Sequence, residues 1–413
     1  MSASYPEIPT FLELIPVESQ VQLPTVTAEF IFTAEKPEPG LPGSKVGDVI
    51  QEKSEKGIRL IVSLGKEKKS TSDTFRQAGG SLARYLRQGG FSAFVVDLDK
   101  LPAASTKNSA ALLEGLRLGA FQFIHYKTPA EPVVTIKAYL VSAARSELKK
   151  MVSWISRLTD SVNLCRDWEH EPANVINPVT LAERLAELTK DTNIKCTILD
   201  DQELAAMNAG GILNVGKGSA SKPRMILLEY PGEGDSQGEK PIVLVGKALT
   251  FDTGGYSIKN AESIQTMKYD KCGGITVAAV IHAAAALKLK TPLVGIIGAA
   301  ENMISGESYR PDDIITTLSG KTVEIISTDA EGRLVLADAL TYAQKTYSPR
   351  AVIDLATLTG GVLVALGRVR AGVMGNDPKL IEALSAAGDA TFERLWPLPL
   401  DEEFAALIKS DDA

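Results

Sequence analysis

Val245 to Gly274 reads VGKALTFDTGGYSIKNAESIQTMKYDKCGG, and the fold turns on how this stretch is read. The apolar run before it, Pro241 to Val245, is a β-strand candidate passing into a glycine-rich loop that carries Lys247, Asp252, Lys259 and Asp270. A second stretch, Ser327 to Arg333 (STDAEGR), follows another strand candidate, Val323 to Ile326, and sets Asp329, Glu331 and Arg333 at alternate positions. Both place charge just beyond the ends of apolar strands, where open α/β sheets bind their ligands. Four carboxylates gathered there would repel one another. Positive charge between them makes them tolerable, and a metal ion is the usual source.

Outward from this stretch, strand and helix patterns alternate. Cys196 to Leu199, Met225 to Tyr230, Ile242 to Val245, Leu293 to Ala299, Val323 to Ile326 and Val352 to Leu355 read as strands. Leu181 to Leu188, Ile275 to Leu289 and Leu334 to Thr346 read as helices, the second apolar nearly all round and hence deeply buried. Upstream, Glu29 to Thr33, Ile58 to Leu64, Ala93 to Leu98, Phe121 to Tyr126 and Val133 to Leu140 are strand candidates, with helices over Ser70 to Leu86 and Ala110 to Leu118. The fold class expected is α/β with two domains, each a mixed sheet flanked by helices, the C-terminal one catalytic. The boundaries expected are 1–140 for the N-terminal domain, 141–172 for a linker helix and connection, and 173–413 for the catalytic domain. The linker helix, Ser146 to Asp167, repeats Leu148, Met151, Val152, Ile155, Leu158, Val162 and Cys165 at spacings of three and four. Thr180 with Glu183 three residues on reads as a capping box. Gly79-Gly80 and Gly89-Gly90 read as turns or close packing ahead of a ligand groove.

The composition excludes several function classes. Among 413 residues, 44% are hydrophobic and 23% charged, with a net charge of −7 and a pI near 5.3. That balance argues against a sequence-blind nucleic-acid binder. No apolar run reaches the ~20 residues that span a bilayer. The N-terminus, MSASYPEIPTFLELIP, has no basic segment or signal-type apolar stretch, so a cytoplasmic location is expected. Cys165, Cys196 and Cys272 are odd in number and far apart, which favours reduced thiols. His125, His170 and His282 are the only histidines, with no H-E-x-x-H, so any metal centre must be built from oxygen donors, with or without a lysine, which suits hard or borderline dications.

Singly, each carboxylate has a plain reading. Asp before Gly-Gly is a turn residue, and Asp270 could cap the helix that follows. Together, with two lysines and an arginine interleaved, they fit two metal ions ~3.5–4 Å apart that share bridging carboxylates. A lysine serves such a site as the neutral amine, which neighbouring dications favour. A second, charged lysine can then stabilise developing negative charge. A phosphate loop is excluded, because Lys247 precedes Ala248 and residue 241 is Pro. No G-x-S-x-G is present, which argues against a serine hydrolase.

These motifs resemble the leucyl aminopeptidase family of two-metal cytosolic exopeptidases. VGKALTFDTGGYSIK is similar to its strand and loop bearing the lysine and aspartate ligands, and MKYDKCGG to its next ligand segment. STDAEGRLVLADAL matches its signature, usually spelled N-T-D-A-E-G-R-L; supporting matches are EPANVINP, LNVGKGSASKPRMILLEY, ENMISGESYRPDDII and DLATLTGG. The likeness covers about residues 160 to 400. It implies that Lys247, Asp252, Asp270 and Glu331 hold one divalent ion and Asp252, Asp329 and Glu331 the other. The ions implied are zinc or manganese, with magnesium or cobalt as alternatives. Lys259 would stabilise the tetrahedral gem-diolate, and Arg333 would position a bicarbonate ion as general base. Met267, Thr357, Leu358 and Gly360 would bind the substrate.

The activity implied is release of N-terminal Leu or another apolar residue from peptides, in a homohexamer. An alternative is a catalytically impaired relative that assembles or binds a partner; another amide or dipeptide hydrolase on the same scaffold is a third reading. No nucleic acid or membrane partner is expected. Ser327, Ala248, Thr253 and Lys271 depart from the family's usual Asn, Gly, Ser and Met. Lys271, beside Asp270, would bring a further cation near the metals. Family members continue beyond the position of Ala413 with a segment that contributes to the specificity pocket and the trimer contacts.

Overall fold

The computed structural model describes residues 8–18, 22–34, 40–128, 132–234 and 238–413. The chain divides into two compact units, Met1–Leu164 and Cys165–Ala413.

The first unit is built from β1 (Leu12–Pro16), β2 (Val26–Ile31), β3 (Val49–Ser54), β4 (Gly57–Ser63), α1 (Ser72–Gln88), β5 (Ala93–Asp97), α2 (Thr106–Ala120), β6 (Ile136–Val141) and most of α3 (Arg145–His170). Its six-stranded sheet has the order β1-β6-β5-β2-β4-β3, parallel except for β3, which runs antiparallel to β4. Phe30, Leu60, Phe75, Leu82, Phe94, Leu112 and Leu116 form its core, and α3 adds Leu148, Val152 and Ile155. Helices α1 and α2 touch through glycines: a Cβ on Gly119 would stand 2.4 Å from the Gly80 Cα. Close packing, not a ligand groove, therefore accounts for Gly79-Gly80. Phe121 to Tyr126 is irregular, contrary to the strand expected there. Its rings pack edge-on instead, Phe121 on Phe11 and Phe123 on His125.

The second unit continues with α4 (Pro178–Thr189), β7 (Lys195–Leu199), α5 (Asp201–Ala206), α6 (Gly210–Gly216), β8 (Arg224–Tyr230), β9 (Ile242–Asp252), α7 (Ala261–Ile264), α8 (Cys272–Ala286), β10 (Leu293–Asn302), β11 (Ile314–Thr316), β12 (Thr322–Glu324), α9 (Glu331–Tyr347) and β13 (Ala351–Leu355). It ends in α10 (Gly361–Leu366), β14 (Ala371–Val373), α11 (Pro378–Thr391), β15 (Leu395–Pro397) and α12 (Glu402–Ala406). The main sheet is ordered β13-β9-β10-β8-β7. Strands β13, β9 and β10 are parallel, and β8 and β7 join antiparallel. Val243, Val245, Leu249, Ile296, Val335 and Ala339 pack together as core.

Three local readings are corrected. Asn177, not Thr180, caps α4: its side chain accepts from Val179 and Thr180 N–H, Thr180 closes the box, and Pro178 occupies the first turn. Val323 to Ile326 does not join the main sheet, because Thr322–Glu324 pairs only with β11 in a short hairpin. Strand β9 does not stop at Val245 but runs to Asp252, since cover on both faces makes it continuously buried.

Candidate active site

The parallel strands β13, β9 and β10 end side by side, and the charged residues gather at their carboxyl ends. Lys247 lies inside β9 and Asp252 is its last residue. Between them the register with β10 shifts: Leu249 pairs with Ala300 and Phe251 with Glu301, so Thr250 is an extra residue. A bulge of one residue reverses the alternation of side chains. Lys247 and Asp252, five positions apart, are thereby brought to one face.

After Asp252 the chain turns through Gly254 (φ 86) and Gly255 (φ 62), backbone that residues with a Cβ rarely adopt. The turn delivers Lys259. Asp270 sits in the single 3₁₀ turn Met267–Lys271 that leads into α8, and Glu331 is the first residue of α9, with Asp329 just before it. Thr328 fixes that approach: its hydroxyl donates to Gly254 O and accepts from Ser257 N–H at 2.8 Å. Tyr309, buried, donates to Thr328 O at 2.8 Å.

The geometry falls into two clusters. The Lys247 ammonium lies 2.9 Å from Asp270 Oδ2, 3.0 Å from Glu331 Oε1 and 3.0 Å from Thr357 O. The Lys259 ammonium lies 2.8 Å from Asp252 Oδ2 and also bonds Asp329 Oδ1. Asn302, the end of β10, donates at 2.8 Å to the other oxygen of Asp252. Burial pushes Glu331 up to about 7 against the pull of Lys247, with Asp252 and Asp270 adding to the rise. Burial raises Asp270 as well, while for Lys247 it acts downward and is outweighed by Glu331 and Asp270, which keep the amine charged. The cause is burial of two carboxylates that share one ammonium, whose pull offsets the rise only in part.

Two observations test the fit to divalent ions. Asp252, Asp329 and Glu331 each offer a carboxylate oxygen, all within 4.8 Å of one another. Asp270 Oδ2 is buried with no hydrogen-bond partner. It is 2.9 Å from Lys247 Nζ, but outside hydrogen-bonding geometry, so the contact is an ion pair with an open lone pair. A set of four carboxylates and an amine is a hard-to-borderline donor set, and the residues fit the group.

Lys247, Asp252, Asp270, Lys259, Asp329 and Glu331 line a cavity of about 900 Å³. Met267, Thr357, Leu358 and Gly360 line it too. Arg333 does not: it is exposed, three residues into α9. Lys271 differs from its expected role. It is fully buried, its ammonium donates to the carbonyls of Glu169, Glu171 and Lys268, and it does not line the cavity. Burial lowers it to about 8. The sequence reading passed over Asn302, whose signal is its place at the end of the strand beside β9. It also missed Arg368, Arg370 and Arg394 of the same cavity, which no motif marks.

Comparison with known proteins follows the same division. The pattern described as "Cytosol aminopeptidase family, catalytic domain" matches residues 163–413, and that family's N-terminal domain matches residues 52–130. A "Probable cytosol aminopeptidase" of Geobacter sulfurreducens is 42% identical over 358 residues, 86% of this chain and 72% of that protein. One from Cenarchaeum symbiosum is 39% identical over 380 residues, 91% of this chain and 73% of the relative. Among solved structures, "Bottromycin maturation enzyme BotP in complex with Mn" superposes with a TM-score of 0.83 at 28% identity, covering 94% of this chain and 84% of that one. No helix among the described residues is long and apolar enough to cross a membrane.

Proposed function

This chain belongs to the cytosol aminopeptidase family, and from that premise we propose a two-metal mechanism for release of an apolar N-terminal residue from peptides. Family membership supports an aminopeptidase; the metals, the substrate preference and the residue roles are our reading. The observation that carries it is the cluster of Asp252, Asp329 and Glu331 oxygens beside the open lone pair of Asp270.

Lys247, Asp252, Asp270 and Glu331 would hold one divalent ion, and Asp252, Asp329 and Glu331 the other. When bound, the ions would supply Lewis-acid polarisation and a water of lowered pKa. The protein's own groups do the rest. Lys259 reaches the cavity as a cation, since Asp252 and Asp329 outweigh the burial that would neutralise it. There it would stabilise the negative charge that develops on the scissile carbonyl oxygen. The backbone of Thr357 to Gly360 offers groups to the peptide chain, and Met267 gives an apolar, adaptable wall for the first side chain. A free α-amino group is a neutral or cationic partner for the carboxylate cluster. An internal residue has none, which accounts for action at the N-terminus. Arg333 as holder of a bicarbonate base stays part of the proposal, and requires the anion to bind at an exposed guanidinium.

The alternative of an impaired relative that acts only as a binding partner finds no support, since every proposed ligand is present and convergent. The test is Asp329→Ala: metal content by plasma emission should fall by at least one ion per chain, and kcat/KM on a leucyl peptide by about 10³ or more. Full activity with the substitution would refute the two-metal assignment.

A further inference from the structure

The cavity lining includes charged groups that this chemistry leaves unused. Arg368, Arg370 and Arg394 line it. Each carboxylate of the metal cluster has a lysine within ion-pair distance, whereas none of these arginines is ion-paired with a described residue. Arg370 donates to Leu395 O at 2.9 Å and stacks 5.3 Å from the Trp396 ring centre. Arg394 lies 4.4 Å from the Phe392 ring centre, and its Nε is buried without a hydrogen-bond partner. Stacking holds both guanidinium groups in place and leaves N–H groups to offer.

The backbone carries a second signal. Phe392 (φ 65) and Thr266 (φ 73) both line the cavity in the left-handed region, which is unusual for an aromatic and more so for a β-branched residue. Strain of this kind gathers at ligand sites, where the surroundings over-determine it.

We propose that Arg368, Arg370 and Arg394 receive a carboxylate of the substrate, so that the enzyme selects short peptides carrying an acid close to the scissile bond. The proposal rests on the aminopeptidase reading above. A guanidinium fork matches a carboxylate in shape and charge. At about 900 Å³ the cavity is at the upper end of small-molecule sites, room for a short peptide but not a long chain. A short peptide carries both an amine and a carboxylate, and the cavity lining carries both the carboxylate cluster and these three arginines, with Glu393 as a further acid beside Arg394. The acid could be the C-terminal carboxylate of a dipeptide or tripeptide, or an Asp or Glu side chain.

Four substrates separate these sources on the metal-loaded full chain: Leu-Ala, Leu-Ala amide, Leu-Asp amide and Leu-Asn amide. The expected result is about a tenfold higher kcat/KM for the acid of at least one pair, shrinking as salt is added. Preference within the first pair identifies the C-terminus, within the second a side chain. The preference should fall to about one in Arg394→Gln, and independently in Arg368→Gln, an exposed position where folding is not at stake. Calorimetric Kd values for hydrolysis-resistant reduced-amide analogues of both pairs read the same preference without turnover. Cleavage of all four substrates with no acid preference in either pair overturns this inference and leaves the aminopeptidase reading standing. Absence of all cleavage fails that reading instead, and equal Kd values would then overturn the inference as well.

Discussion

Lys247 and Lys259 each sit between two carboxylates and line the same cavity, yet one is almost wholly buried and the other is partly exposed. The Lys247 side chain is 3% exposed, between Asp270 and Glu331 at 6% and 3%. Lys259 is 14% exposed, and its partner Asp329 is 37% exposed. The deep cluster is under low dielectric, where charge must be balanced at all times and a proton is retained when it is not. The outer cluster is more exposed, so in the proposed mechanism its ammonium would exchange partners as charge develops. In the proposed mechanism the same residue type would thus hold metal ligands together in one place and act on substrate in the other.

Replacing each lysine by methionine should break this comparison most sharply. Lys247→Met removes the proposed amine ligand and leaves two buried carboxylates without their cation. We expect a loss of metal affinity of about 100-fold, and destabilisation of the metal-free protein by about 3–5 kcal/mol, the usual cost of orphaning a buried charge. Lys259→Met should keep metal affinity within about threefold and lose about 10²–10³ in kcat, the scale of one oxyanion-stabilising donor. Chelator competition, thermal melts and steady-state kinetics read the three quantities. Equal metal loss in both variants would erase the distinction.

How much of this was legible follows from what each cluster depends on. The outer cluster hangs on a glycine turn and on STDAEGR, each local in sequence, so Asp252, Lys259 and Asp329 could be read as neighbours of strand ends. The deep cluster depends on the bulge at Thr250. Reading VGKALTFD as a strand broken at Gly246 puts Lys247 in a loop. Reading it as an unbroken strand puts Lys247 and Asp252 on opposite faces. Only pairing with β10 decides otherwise, and pairing is not local. Lys271 is the same lesson in reverse: adjacency to Asp270 suggested a cation at the metals, while the carbonyls that hold it come mainly from Glu169 and Glu171, about a hundred positions earlier.

A pH series sharpens the deep side. With Glu331 raised to about 7 from 4.5, the folded metal-free protein keeps a proton that the unfolded chain has lost between those values. The stability this group contributes is therefore full below about 4.5 and is lost as pH rises through about 7. Metal binding must expel that proton, and one more from the Lys247 amine. Affinity should fall at least about tenfold per unit as pH drops below 7. Calorimetry at pH 6 in two buffers of different ionisation enthalpy measures the protons released. About two per chain are expected, and only one would mean that Glu331 already binds metal as the free carboxylate.

The smallest effect expected is at Thr357, which joins the two functions of the deep side. Its hydroxyl donates to Asp270 Oδ1 at 2.6 Å, while its carbonyl accepts from Lys247 at 3.0 Å. Thr357→Val keeps the backbone and the shape and removes only the hydroxyl. Asp270 then loses the donor that opposes its burial, so its pKa should rise further and its grip on a cation weaken. A lost hydrogen bond to a buried charge is worth ~1.5–3 kcal/mol at most. About a tenfold drop in metal affinity is expected, with kcat at saturating metal changed less than about threefold, because Lys259 and Asp329 do not touch this residue. A kcat loss as large as that of Lys259→Met would show that the deep cluster acts on substrate directly and that the division between the two lysines is not functional.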